Sequence, residues 1–557
     1  MPSRTKWLVR LLWALFVVRG IASISFLPLW EGFDEWGHYA AIQQMALHGW
    51  AAGRSDKVSK EVEASLKLVP GGFGSPLKYD DYWRLPPADR RAREEALQSI
   101  PIGWAAEVAA GGPKAYELQQ APLYYWTIAG LYRAIAQLPL LTRVWILRLA
   151  GLLLASMIVP LGFTVARTVM GDDPRALGCI ALVVAMPQVT ILVARIGNDC
   201  LAIPMGAFLS LAVLRWKRDP RSMSAAMGLG GALGLALLTK AYFLSAVAPV
   251  MILLLIRAKQ RGAAREALAA ASLSAAISAW WYIGNWVTTH SLTGEQIGIA
   301  ARSDPLALAV AAVHMSWLRA GKFILLSHLW LGNWSFLEVR SWMYQFFELF
   351  ALLSVIGLVL TLARRRTQPP SRGDLLALAS LFAALAVAVA YDAVQIFEVQ
   401  GGLGTFGYYL LGFAAAEAVL VVTGLEAVAP RAFAPAVAAA GVVCLTALDF
   451  FGAHFYALPY YTGLTVRAPD DRLPALRLSQ LGSGGLRTMV ERLSVNKPVF
   501  LSPPVMAALL LLLEMATVCL VLVAVLVAAD RYKRRADAAN SDQYGAEAFG
   551  AGFSTKS

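Results

Sequence analysis

Charge is scarce in this sequence. Of its 557 residues, 15% are Asp, Glu, Lys or Arg and 58% are hydrophobic, and mean hydropathy is +0.57. A soluble chain of this size could not hide that much apolar surface, which excludes a string of soluble domains. Cysteine is rarer still. Cys179, Cys200, Cys444 and Cys519 stand singly in or beside apolar runs, with no CxxC pair and no His/Cys cluster. Neither a zinc site nor a disulfide framework is therefore suggested, and the four residues read as small hydrophobes. No internal repeat is visible, which weakens a secondary-transporter reading. Acidic residues number 36 against 49 Lys and Arg, a net charge of +13. The basic residues form short clusters between apolar runs and no continuous face, so nucleic acid is not an expected partner.

What the chain has in quantity is runs of about 20 apolar residues, the length that crosses a bilayer. The fold class is an all-α polytopic membrane protein with about twelve spans. We place them near 7–30, 144–166, 176–194, 199–214, 222–239, 241–256, 265–287, 343–363, 374–392, 407–427, 432–451 and 504–529. The first run follows Arg4, Lys6 and Arg10; its length and the lack of a small-x-small cleavage site favour a retained signal anchor. With the N-terminus inside, the basic clusters share one side. They are Arg167 and Arg175; Arg215, Lys217, Arg218 and Arg221; Arg257, Lys259, Arg261 and Arg265; Arg364, Arg365, Arg366 and Arg372; and Arg531, Lys533, Arg534 and Arg535. Such asymmetry marks the cytoplasmic face and puts both termini there. Residues 121–140 are apolar enough to cross, but a span there would invert every later loop. They read as a juxtamembrane or re-entrant helix whose Tyr124, Tyr125, Trp126 and Tyr132 suit the interface.

Three outer segments are then long: 31–120 (31–143 with the interfacial helix), 288–342 and 452–503. The tail 531–557, rich in Ala, Gly and Ser, reads as disordered. Chemistry-bearing residues gather on the outer side. Glu31, Asp34, Glu35 and His38 follow the first span, and on a helix Asp34 and His38 would share a face. Acids at an apolar boundary can serve as bases, although a solvated loop start is the favoured reading of these residues taken alone. Asp199 lies in ARIGNDCLA between two close spans, costly unless paired or working. Lys240 lies between two spans at the same level, where an ammonium could neutralise a phosphate or merely snorkel to water. Glu117, Gln119 and Gln120 precede the interfacial helix.

Their order carries a resemblance. Asp34-Glu35-x-x-His38 comes first, then Glu117-x-Gln119-x-x-Pro122-Leu123-Tyr124-Tyr125, Asn198-Asp199 and Leu237-Leu238-Thr239-Lys240. Trp280-Trp281-Tyr282-Ile283-Gly284-Asn285-Trp286 ends the seventh span. Together these resemble the GT-C glycosyltransferase superfamily, above all the bacterial enzymes that use polyprenyl-phosphate sugars. Those are related to protein O-mannosyltransferases and the lipid A aminoarabinose transferase. The likeness covers residues 1–290 as a catalytic module and leaves 291–530 as a variable one. It implies an acidic pair at Asp34 and Glu35, a second-loop acid at Asp199 and a donor-phosphate cation at Lys240. Where relatives carry Gln-Gly-Arg-Tyr, this chain reads Gln400-Gly401-Gly402-Leu403-Gly404-Thr405-Phe406-Gly407-Tyr408-Tyr409 and lacks the arginine. Arg340 could supply that charge or serve as an interfacial anchor.

The resemblance implies transfer of a sugar from a polyprenyl-phosphate donor to an acceptor hydroxyl, with inversion, on the periplasmic side of an inner membrane. Asp34, or Glu35 in its place, would be the base. Lys240 with Arg340 would stabilise the leaving phosphate. Asp199, His38, Glu117, Gln119, Gln120 and Tyr124 would hold the base or bind substrate. The acceptor would be an envelope glycan, a glycolipid or a protein. No cofactor is required, although the acids could hold a divalent metal. A transporter or flippase of a lipid-linked substrate is the alternative, and a non-catalytic scaffold the third. A transporter places ionisable groups near the midplane; here the spans look nearly free of them, with Glu417, Glu514 and Asp392 the main exceptions.

Overall fold

The computed structural model describes residues 3–49, 57–294, 304–364, 370–402 and 404–552. Arg365 and Arg366 of the fourth basic cluster lie outside them. The described residues form helices and three isolated β-bridges, with no strand. Among the described residues ten helices are long and apolar enough to cross a membrane, and counting each bent helix pair as one span gives up to twelve. The chain is a multi-pass membrane protein.

Every expected span falls on a helix, but three differ in form. The third is broken by 59° between Asp173–Ala185 and Pro187–Val193. Pro187 can donate no backbone hydrogen bond to continue the preceding helix. The fifth, Met223–Leu237, has 15 residues, about 22 Å of rise against a hydrocarbon core near 30 Å. The eleventh runs on to Tyr461, into the segment read as an outer loop. A second bent pair, Pro305–His314 and Trp317–Leu329 at 87°, occupies the segment 288–342, which was expected to be a loop throughout. Its break splits an apolar stretch into pieces each too short to cross alone. The last helix continues to Gly552, where the sequence suggests a disordered tail; its alanines favour helix.

Leu123–Ile135, at 13 residues, would rise only about 20 Å and is not among the candidate spans. It packs along Glu35–His48, and Arg133 Nε donates to the Ala46 carbonyl at 2.7 Å. The two sequence modules interleave. Pro503–Gly552 lies along Ser3–Phe26, and Ala414–Val428 packs on both Ile158–Met170 and Asp173–Ala185.

The described basic clusters meet at one end of the bundle. Lys217 and Arg218 share Asp374 at 2.7 and 2.9 Å. Arg175 and Arg531 share Glu426, each at 2.7 Å. Arg221 donates to the Arg261 carbonyl. Asp199–Arg218 has Asp199 at one terminus and this basic end at the other, about 30 Å apart along 20 residues. The acids and Lys240 gather at the far end.

Charge inside the bundle is commoner than the sequence reading allows. Arg19 and Asp449 lie in spans and pair at 2.6 Å. Glu417 meets His328 at 2.6 Å, and Glu514 meets His454 at 2.8 Å. Asp392 accepts from the Thr405 hydroxyl at 2.9 Å. A buried charge is tolerable when paired, and pairing made these residues cheap enough to sit among apolar runs.

Candidate active site

The first span stops at Phe26, and the chain turns through two residues held in the left-handed backbone region, Trp30 at φ 62° and Asp34 at φ 56°. Asp adopts this conformation more readily than most residues; a bulky Trp there is strained. The turn starts Glu35–His48 and leaves Asp34 half-buried at the rim. Asp34 Oδ1 accepts a hydrogen bond from the Tyr116 hydroxyl at 2.6 Å. Burial raises its carboxyl above the usual range, against the Tyr116 hydrogen bond and the charges of Arg195 and Lys240; Asp199 adds to the rise.

Asp199 opens its helix, where an acid complements the dipole. Its Oδ2 accepts from Arg195 Nη2 at 2.8 Å and its Oδ1 from Lys240 Nζ at 2.6 Å. Arg195 also donates to the Phe33 carbonyl, linking the triad to the residue before Asp34. Aromatic rings enclose both cations. Arg195 lies 5.7 Å from the Phe33 ring and 5.9 Å from Tyr408; Lys240 lies 5.4 Å from Tyr242 and 5.2 Å from Tyr409. Such faces attract a cation without neutralising it. Beyond Phe33 the rings continue outward. Phe406 stacks on Tyr408 and Phe336, and Trp334 stacks on the exposed Phe73.

His38 and Glu117 complete the cluster. His38 Nδ1 lies 2.8 Å from the Tyr125 hydroxyl and 3.4 Å from Glu117 Oε2. Burial, then Arg195 and Lys240, push His38 well below its usual range, so it is neutral at pH 7. Burial and the nearby Asp34 charge push Glu117 well above the carboxylate range. The cluster therefore holds Asp34, Asp199, Arg195 and Lys240 as its potential charges, beside a neutral imidazole and the Glu117 carboxyl, which burial holds toward its protonated form.

Other expected site residues are placed differently. Glu35 is fully buried. Arg148 grips both its oxygens, at 2.7 and 2.6 Å, and the Ile196 N–H donates to Oε1 at 3.0 Å. It has no free oxygen with which to take a proton, so its part is to fasten the Asp34 turn to the second span. Arg340 is exposed and lies 5.8 Å from the Phe451 ring; no described contact joins it to Lys240. An arginine capping a span end finds water more easily than a buried phosphate site. Gln120 Oε1 accepts from Asn198 Nδ2 at 3.3 Å, and the Tyr124 hydroxyl accepts from the Gly197 N–H at 3.3 Å. Both brace the turn that carries Arg195 and Asp199. Gln119 packs near Gly294.

The sequence reading missed Arg195, Tyr116, Tyr242 and Tyr409. Arg195 had a signal, standing four residues before Asp199 at the spacing of a helical ion pair. Among the described residues no three His, Cys, Asp or Glu side chains converge as metal ligands would.

No protein-family profile and no curated protein matches the sequence. Solved structures do. The fold is similar to ArnT from Cupriavidus metallidurans bound to undecaprenyl phosphate, with TM-score 0.45 and 15% identity over 94% of this chain and 76% of that one. It is similar to the apo state of the same protein, with TM-score 0.43, 15% identity and coverage of 95% and 77%. It is also similar to the Archaeoglobus fulgidus oligosaccharyltransferase in complex with zinc and sulfate, with TM-score 0.43, 13% identity and coverage of 78% and 52%.

Proposed function

We propose that this chain is a membrane glycosyltransferase that moves a sugar from a polyprenyl-phosphate donor to an acceptor hydroxyl on the outer face of an inner membrane. One observation carries the reading. The Arg195–Asp199–Lys240 triad, with Asp34 at its rim, lies at the ends of apolar spans opposite the basic clusters. There a donor's isoprenoid tail can stay in lipid while its phosphate meets two cations.

In the reaction the acceptor oxygen attacks the anomeric carbon as its proton passes to an Asp34 carboxylate oxygen. The bond from that carbon to the phosphate oxygen breaks, and polyprenyl phosphate leaves with the electron pair. Attack opposite the leaving group inverts the centre. Lys240 and Arg195 meet the charge that builds on the phosphate. They are fixed beforehand by Asp199 and the tyrosine rings, so little reorganisation is needed. Asp199 is thus a positioning residue, as is Glu35. Asp34 suits a base because burial raises its proton affinity while the two cations keep it ionisable. His38 and Glu117, the latter biased toward its protonated form by burial, can form hydrogen bonds that orient the acceptor. The scheme needs no metal.

A transporter would need ionisable groups free to exchange partners along the bundle. Here the interior charges are tied in fixed pairs. The test is transfer by the purified protein from a panel of polyprenyl-phosphate sugars, with hexoses and pentoses compared. Asp34→Asn should lower turnover by about 10²–10⁴-fold with thermal unfolding unchanged. Wild-type turnover in that variant would overturn the base assignment.

A further inference from the structure

A second feature lies on the far side of the Glu35–Arg148 clamp. A small cleft opens where the first span leaves the bundle, lined by Phe26, Tyr82, Trp83, Arg492, Asn496 and Lys497 among others. Lys497 is buried. Among the described residues one protein acceptor meets its ammonium, the Leu27 carbonyl, which also receives Arg148 Nη1 at 2.7 Å. An ammonium carries three donors, so two remain for whatever fills the cleft. Arg492 lies 4.5 Å from the Trp83 ring and spends one Nη1 hydrogen bond on the Thr462 carbonyl at 2.7 Å. Arg90 lies 5.4 Å from the same ring.

Among the described residues none of these three cations forms an ion pair. Glu35 is held by Arg148, and Glu94 receives the Asn496 backbone. Burial and the nearby Arg148 charge push the Lys497 ammonium well below its usual range, so the cleft favours an entering anion that restores the charge. Phe26 ends the first span, which puts the cleft at the depth of lipid headgroups.

We propose that this cleft binds a phosphate group, with Lys497 and Arg492 as its direct contacts and Arg90 reinforcing the field. The phosphate would come from an anionic lipid headgroup or from free phosphate. The site is separate from the Asp34 cluster and does not depend on the reaction assigned there. Lys497 and Arg148 share the Leu27 carbonyl, so an occupant would stiffen the clamp that holds the Asp34 turn.

The experiment uses full-length protein in a neutral detergent and follows the thermal unfolding midpoint. Inorganic phosphate, short-chain phosphatidylglycerol and, as a zwitterionic control, short-chain phosphatidylcholine are titrated separately. Wild type should be stabilised by phosphatidylglycerol if the source is a lipid, or by inorganic phosphate if it is a free ion, and not by phosphatidylcholine. Arg492→Gln and Lys497→Gln should each bind the active probe about tenfold more weakly, the size of one charge-assisted hydrogen bond. Arg492→Lys should recover part of the loss. Arg492 lies at the partly exposed rim, so Arg492→Gln decides alone if Lys497→Gln does not fold. Half-saturation in Arg492→Gln equal to wild type, or no response of wild type to either phosphate probe, would overturn the proposal.

Discussion

The Asp34 carboxyl is balanced by few groups, and each can be removed singly. The Tyr116 hydroxyl, 2.6 Å away, stabilises the charged form, so Tyr116→Phe should raise the proton affinity of Asp34 further. The acidic limb of kcat/KM against pH should then move to higher pH, with the plateau reduced less than in Asp34→Asn. A limb that stays put would remove Tyr116 from the proton balance. Asp34, Asp199 and Lys240 could be found from sequence because a charge at the end of an apolar run is expensive and therefore conspicuous. Arg195 was hidden because an arginine ending a span looks like an anchor. Glu35 stood beside Asp34 and shared its chemistry; only Arg148, 113 residues further on, separates their roles. The tyrosines around Lys240 come from distant segments, and no local pattern in the chain announces such contacts.

Two elements meet at the cluster with no space between them. A Cβ on Gly206 would lie 1.6 Å from the Gly412 carbonyl oxygen, so glycine there lets Asp199–Arg218 touch the turn Gly407–Phe413 directly. That turn carries Tyr408 and Tyr409, and its other end is held by the Ser327 hydroxyl and His328. Gly206→Val must therefore push the tyrosines away from Arg195 and Lys240. A displacement near 1 Å can cost about 10²-fold in rate, and turnover should fall by that order in protein that still unfolds cooperatively. Gly228→Val, whose Cβ meets nothing within 4 Å, is the matched control and should turn over like wild type. Equal rates in the two variants would dissociate the turn from the site. The helices themselves were legible because an unbroken apolar run has one stable form in lipid. The bent pair at 305–329 was not, since a sharp break turns one span-length signal into two short ones.

On the scale of the whole molecule, the assignment of sides rests on Leu123–Ile135 remaining at the surface. In a background without its four cysteines, Gly103→Cys should react with a membrane-impermeant maleimide on intact cells. Asp219→Cys, beside the basic cluster, should react only after permeabilisation. The reverse pattern would put the acid cluster in the cytoplasm. The end of the bundle opposite the basic clusters has its own fastening at Glu31. One oxygen accepts from the Ser335 N–H at 2.8 Å and the Tyr461 hydroxyl at 3.3 Å, the other from the Tyr79 hydroxyl at 3.1 Å. A single carboxyl thus joins two of the long segments to the end of the eleventh helix, and among the described residues no cation pairs with it. Burial pushes it from 4.5 up to about 7, against those hydrogen bonds. A carboxyl raised in the folded state favours folding while it is protonated. Its contribution is complete below pH 4.5 and is lost as pH rises through about 7, on the order of 3 kcal/mol in all. The wild-type unfolding midpoint should therefore fall between pH 5 and 8 by more than that of Glu31→Gln, which keeps the shape and stays uncharged. Parallel curves for the two proteins would mean that Glu31 ionises no differently in the folded chain than in the unfolded one.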